Sequence, residues 1–128
     1  MSNGSLSCVL LGDRHHGLTE SIRGLLETAF DVVIMVADEA SLMAGAERIR
    51  PDVAVVDLSL AQGPGLGWLR ALRARYPGLT LIVLSALDEQ VAHRAAMEAG
   101  ADAYVLKHAI VTDLLPAIDY ARSSRLQP

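Results

Sequence analysis

A doubly wound α/β fold, a parallel sheet covered by helices on both faces, is what this sequence predicts, and three observations carry it. Short apolar runs rich in Val, Ile and Leu alternate along the chain with segments whose apolar residues recur at helical spacing. The middle run, Val53-Ala54-Val55-Val56, is apolar without alternation, as a central strand buried on both faces requires. Gly, Pro and Asp punctuate the segments, and strands that alternate with helices assemble through right-handed crossovers into a parallel sheet. With 128 residues, 52% of them apolar, the chain fits one domain whose core needs no staples.

Residues 7–11 read as the first strand, and Gly12-Asp13-Arg14-His15-His16-Gly17 as the loop that leaves it. Leu18, Ile22, Leu25, Leu26 and Ala29 then form the inward stripe of a first helix. Residues 32–36 are a second strand, followed by a helix with Leu42, Met43, Ala46 and Ile49 inward that Pro51 stops. The third strand ends in Asp57. After it Ala61-Gln62-Gly63-Pro64-Gly65 is a loop, and Leu66, Leu69 and Leu72 face inward on a helix that leaves Arg70, Arg73 and Arg75 to solvent and closes at Tyr76-Pro77-Gly78. Residues 79–84 form a fourth strand ending in Ser85-Ala86. The helix over 88–99, rich in small residues and closed by Gly100, buries less apolar area than its neighbours and is held less tightly. Residues 103–106 are a fifth strand ending in Lys107, and Ile110, Leu114, Leu115, Ile118 and Ala121 mark the last helix. The domain is expected over 1–122, with 123–128 the start of a linker or tail.

Composition excludes several functions. A net charge of -4 with no run of Lys or Arg offers no footprint for nucleic-acid phosphates, and 4% aromatics leave few stacking platforms for bases. No apolar stretch is long enough for a membrane span and no leader pattern opens the chain, so a cytoplasmic protein is expected. The single cysteine, Cys8, lies in an apolar run and reads as a small buried hydrophobe in a reducing compartment.

Four of the strands end in polar residues on one edge: Asp13, Asp57, Ser85 and Lys107. In an open parallel sheet the carboxyl edge is where ligands bind. Carboxylates beside a hydroxyl and an ammonium suit phosphoryl transfer, with an aspartate as nucleophile, Lys107 neutralising phosphate charge and Ser85 donating to a phosphate oxygen. A magnesium ion between acids and phosphate would ordinarily be needed to hold the charge that develops.

On these residues the chain resembles the receiver domain of two-component response regulators over residues 7–122. The matching motifs are Asp57, Gly65 eight positions on, Ser85-Ala86, and Gly100-Ala101-Asp102-Ala103-Tyr104-Val105-Leu106-Lys107. The resemblance is strongest to the subfamily with a C-terminal helix-turn-helix output domain. It implies a flavodoxin-like, five-stranded sheet of order 2-1-3-4-5 flanked by five helices. It also implies phosphotransfer from a histidine kinase or phosphotransfer protein to Asp57, with Mg2+ held by Asp13, Asp57 and the backbone carbonyl of Ser59. Ser85 and Tyr104 would act as the switch, altering the surface formed by the fourth helix, fifth strand and fifth helix to control an output or partner, which the family allows to be a second copy. DNA would be reached only through an output domain, and no membrane is involved.

The pattern breaks at one place. Receivers of this kind carry two adjacent acids after the first strand; counting back from Leu25-Leu26-Glu27 puts Asp13 on the first and Arg14 on the second, whereas a one-residue slip puts Gly12 and Asp13 there. With Arg14 in the metal-contacting place, a ligand is lost and a cation added. At about 5 Å from a dication and an effective dielectric of about 20 the repulsion is on the order of several kcal/mol. Arg14 either swings to solvent or pairs with Asp13 or Asp57 and takes over part of the metal's electrostatic role, so weakened magnesium binding is expected. Ala61, where the family often has proline, bears on loop rigidity.

His15 and His16 read as solvated loop residues, Met35, Met43 and Met97 as core filler, and Trp68 as either partly exposed or packed on an arginine. Tyr104 has an alternative role, as an edge-strand aromatic shielding Lys107. Three other functions compete. One is a degenerate receiver working only as a dimerisation or docking module. Another is a phosphatase of the haloacid-dehalogenase type, which lacks its second acid because Ser59 stands there. The last is a flavodoxin-like cofactor binder, which lacks a phosphate-cradling loop after the first strand. Beyond self-phosphotransfer and autodephosphorylation at Asp57, no enzymatic turnover is expected.

Overall fold

The computed structural model describes residues 7–14, 16–61 and 65–126, with the side chains of 16–18 and of 125 and 126 outside the described set. His15, the His16 and Leu18 side chains, and Gln62-Gly63-Pro64 therefore lie outside it. Five parallel strands, β1 (Cys8–Gly12), β2 (Val32–Val36), β3 (Val53–Asp57), β4 (Thr80–Ser85) and β5 (Ala103–Leu106), form one sheet in the order β2-β1-β3-β4-β5. The helices between and after them are α1 (His16–Leu26), α2 (Glu39–Ile49), α3 (Gly67–Arg75), α4 (Gln90–Glu98) and α5 (Ile110–Leu126). The doubly wound fold and its strand order are as expected.

Strand β3 sits between β1 and β4, and all five of its residues are buried. Its side chains point alternately to two cores, because successive residues of a strand face opposite sides. Ala54 and Val56 join Leu42, Ala46, Leu69, Leu72 and Ala96 under α2, α3 and α4. Val53 and Val55 join Ile22, Leu26, Leu114 and Ile118 under α1 and α5. Both faces of the sheet are thus sealed, and polar chemistry is left to its ends.

Several inward assignments are corrected. Ala29 lies past the end of α1 and is exposed, and Phe30 fills the space instead. Ile49, the last residue of α2, is exposed, because the helix closes at Arg50, whose φ of 52° turns the chain before Pro51. Met97 is exposed on α4. Trp68 is buried in the core under α3. Cys8 is only half-buried, and burial followed by the Asp52 carboxylate pushes its thiol up, so it is not a reactive thiolate. Strands β1 and β4 begin and end one residue later than the pattern indicated, α1 starts at His16 inside the expected loop, and α4 is shorter at both ends. Helix α5 continues through Ser123 and Ser124 to Leu126.

Arg73 is the largest correction. Placed on the solvent stripe by periodicity, it instead reaches under the end of α4. Its Nε donates to the Gly100 carbonyl (2.9 Å), Nη1 to the carbonyls of Tyr76, Pro77 and Leu79, and Nη2 to Asp102 (2.8 Å). Asp102 accepts in turn from the Leu81 amide (2.8 Å). Gly100 is required at this junction, since its φ is 121° and a Cβ would lie 2.6 Å from the Arg73 side chain. Among the described residues no helix is long and apolar enough to cross a membrane.

Arg73→Ala removes five hydrogen bonds from a partly buried junction, and should cost about 3 kcal/mol in urea unfolding. Arg73→Lys should recover only a small part, because an ammonium lacks the planar fork.

Candidate functional site

Register delivers four side chains to one place. Gly12 pairs with Val56, so Asp13 and Asp57 are the next residues on neighbouring strands. Asp57 pairs with Leu84 and Ser85 with Leu106, which steps Ser85 and then Lys107 up the same edge. Strands β1 and β3 are also where the order of winding reverses, and the crevice of a doubly wound sheet opens at that point.

Asp13 and Asp57 are 3% and 2% exposed, so both carboxylates are buried at the floor of this crevice. The Lys107 ammonium stands between them, 3.1 Å from Asp57 Oδ2 and 3.7 Å from Asp13 Oδ1. It reaches them because β5 ends at Leu106 and the chain enters a 3-10 turn at Lys107. Ser85 lines a cavity of about 370 Å³ together with Asp57, Ser59, Ala86, Leu87 and Lys107. Asp13, Asp57, Ser85 and Lys107 therefore meet in one crevice.

Ser59 contributes more than sequence reasoning assigned to it. Only its backbone carbonyl was expected to matter, yet its Oγ donates to Asp57 Oδ2 at 2.6 Å. The signal was its position two residues after Asp57, which carries its side chain back over the carboxylate. Arg14 takes a third course beyond the two foreseen. Its side chain is exposed, and Nη1 donates to the Ser59 carbonyl oxygen at 3.3 Å. That carbonyl is the oxygen the resemblance implies as a metal ligand. Among the described residues no group of three or more His, Cys, Asp or Glu is placed to hold a metal ion.

A second set of bonds leads away from the crevice. The Leu87 amide donates to Ser85 Oγ (2.9 Å), and the Leu87 carbonyl accepts from the Tyr104 hydroxyl (2.6 Å). The Tyr104 ring is stacked on His93 of α4, with centroids 4.8 Å apart and planes inclined by 7°. Ser85 is thus joined through one residue to Tyr104 and through its ring to α4. Leu87 and His93 were not foreseen, because neither carries a sequence signal apart from its position in space.

Residues 9–119 match the response regulator receiver domain. The chain is 35% identical over 106 residues to the probable transcriptional regulatory protein TcrX of Mycobacterium tuberculosis, covering 83% of this chain and 45% of that protein. It is 36% identical over 101 residues to the DNA-binding transcriptional activator DevR/DosR of the same organism, covering 77% and 46%. The chain therefore spans a little under half the length of these curated relatives. Among solved structures, a two-component response regulator of the LuxR family from Aurantimonas sp. SI85-9A1 superimposes with a TM-score of 0.83 at 25% identity, over 94% of this chain and 88% of that one. The non-phosphorylated receiver domain of the Escherichia coli stress response regulator RcsB has the same fold, with a TM-score of 0.82 at 23% identity over 94% and 97% of the two chains.

Tyr104→Phe should loosen the Ser85–Leu87 turn by about 1 kcal/mol, read as roughly fivefold faster amide exchange at Leu87. Unchanged exchange there would show that the two residues are not coupled.

Proposed function

The chain belongs to the response regulator receiver family, and on that premise we propose that Asp57 is its phosphoacceptor, with Lys107 and Ser85 as the groups that receive the phosphoryl oxygens. The family works in phosphorelay signalling, and its members interact with histidine kinases and phosphotransfer proteins and typically use magnesium. The observation that carries the reading is Lys107 placed 3.1 Å from the Asp57 carboxylate, with Ser85 on the wall of the same cavity. An Asp57 oxygen attacks phosphorus as the P–N bond to the donor's phosphohistidine breaks and its electron pair returns to the imidazole, the ammonium offsets charge on the transferred group, and the Ser85 hydroxyl turns from Leu87 to donate to a phosphoryl oxygen. Movement of Ser85 frees the Leu87 turn, and Tyr104 with it, so that the surface of α4, β5 and α5 changes. Asp57 then loses its phosphoryl group by autodephosphorylation, in which water takes the phosphoryl group as inorganic phosphate and the carboxylate is restored, with no other turnover.

In this reading the donor is a histidine kinase or phosphotransfer protein in the cytoplasm. Any DNA contact is made by an output domain. A second copy of the chain is a further partner through the α4-β5-α5 surface.

Magnesium binding is weakened. Two carboxylates suit a hard dication, which takes oxygen ligands, but the Ser59 carbonyl is engaged by Arg14 and Asp57 Oδ2 already receives Ser59 and Lys107. The residues as arranged do not fit a resident ion without displacing the guanidinium.

Asp57→Asn should abolish phosphoryl uptake from acetyl phosphate, read by intact mass; uptake persisting in this variant would place the acceptor elsewhere. Arg14→Asp should tighten magnesium binding by about tenfold or more in calorimetric titration. An affinity equal to that of the native chain would remove the weakening.

A further inference from the structure

We propose that the Arg14 guanidinium is the second cation facing the phosphoryl group, so that this chain takes up phosphate on Asp57 without a divalent ion. The inference rests on Asp57 being the acceptor and goes beyond that reading by naming the residue that supplies the remaining positive charge.

Charge is the first ground. The crevice holds the carboxylates of Asp13 and Asp57 and the ammonium of Lys107. Among the described residues these three groups sum to one negative charge, and Arg14 supplies one positive charge to set against it. With that charge in place, less is asked of a dication beside two carboxylates that are 2–3% exposed, where solvent screens little.

Position is the second ground. Ser59 touches both partners, its Oγ on the Asp57 carboxylate and its carbonyl on Arg14. One residue thus bonds both the acceptor carboxylate and the guanidinium. The latter contact is a single 3.3 Å bond on an exposed side chain, so Arg14 can swing onto an arriving anion at small cost. A guanidinium presents a planar fork that matches two oxygens of a phosphoryl group and keeps its charge at every working pH.

The step balances without further reagents. An Asp57 oxygen forms the new O–P bond, the bond from phosphorus to the acyl oxygen of an acyl phosphate breaks, and its electron pair leaves on the carboxylate product. Arg14 and Lys107 hold the equatorial oxygens through the transfer. Arg14 touches the reacting group and acts as a catalytic residue in this scheme.

The test compares the native chain with Arg14→Ala, Arg14→Lys and Arg14→Asp, each verified as folded by circular dichroism and incubated with acetyl phosphate in EDTA or in excess magnesium. Intact mass reads phosphoryl uptake. The native chain should be modified at rates within about twofold in the two buffers, Arg14→Ala should be slowed about tenfold or more in EDTA, and Arg14→Lys should fall between them. Arg14→Asp should be inert in EDTA and recover with magnesium. Inorganic phosphate titrated in EDTA supplies a readout without turnover: amide resonances of Ser59 and Lys107 should shift saturably in the native chain and not in Arg14→Ala. Uptake by the native chain only with magnesium, equal rates for native and Arg14→Ala in EDTA, or equal shifts in the two proteins would overturn the assignment of Arg14 while leaving Asp57 as acceptor. No uptake by any of the proteins in either buffer would overturn both.

Discussion

The Lys107 ammonium, set between two buried carboxylates, is the interaction on which the site depends. Asp13 and Asp57 lie at neighbouring strand ends with almost no solvent to share their charge, and burying ionised groups without a counter-charge costs several kcal/mol each. Lys107 supplies that charge from the far side of β4, at 3.1 and 3.7 Å. This geometry constrains the fold in turn. Only a sheet that places β1 beside β3 and ends β5 at the same edge brings the three residues within reach of one another. The apolar strand interiors make that sheet; the ion pairs make its edge a site.

How far the sequence could be read follows from what each signal measures. Strand positions were legible because sheet burial leaves continuous runs of Val, Leu and Ile, and β2 and β5 fell on the residues expected. The site residues were legible as strand-end polar groups, since loops after parallel strands gather on one edge. Side chains whose partners are distant in the chain were not legible. Arg73 lies on the solvent side of its helix by periodicity, yet its partners are the Gly100 carbonyl and Asp102 across a gap that only tertiary packing closes. Trp68 is covered by the core beneath α2, α3 and α4 for the same reason. The Arg14 contact with Ser59 spans forty-five residues, so the sequence could show a misplaced charge but not where it would settle.

The path from Ser85 to Tyr104 runs along the least anchored part of the molecule. Within α4 only Ala96 is buried, while Val91 is 82% exposed, so little apolar area holds this helix to the sheet. Its ties include the His93–Tyr104 stack, and the Leu87 carbonyl accepts from that same tyrosine. An element with small burial opens at low free energy. Its equilibrium can then be moved by the one or two hydrogen bonds that a phosphoryl group would redirect at Ser85. Tightly packed β3 could not respond to so small a change. The rigid and the yielding parts of the domain thus meet at Ser85, the end residue of a fully buried strand.

The division of labour also separates what the family's fold constrains from what it leaves open. Asp13 is buried and tied to the sheet, its amide donating to the Val36 carbonyl at 3.0 Å. Arg14, the next residue, is exposed and contributes nothing to either core. A substitution there leaves the folding free energy almost untouched, because an exposed loop side chain buries little apolar area in the folded state. It does change the charge on the side chain that bonds the Ser59 carbonyl, and the hydroxyl of that serine donates to the buried Asp57 carboxylate. Likeness over residues 9–119 rests on the buried strands and helix faces, whereas Arg14 occupies an exposed position at the edge of the crevice that the fold does not constrain.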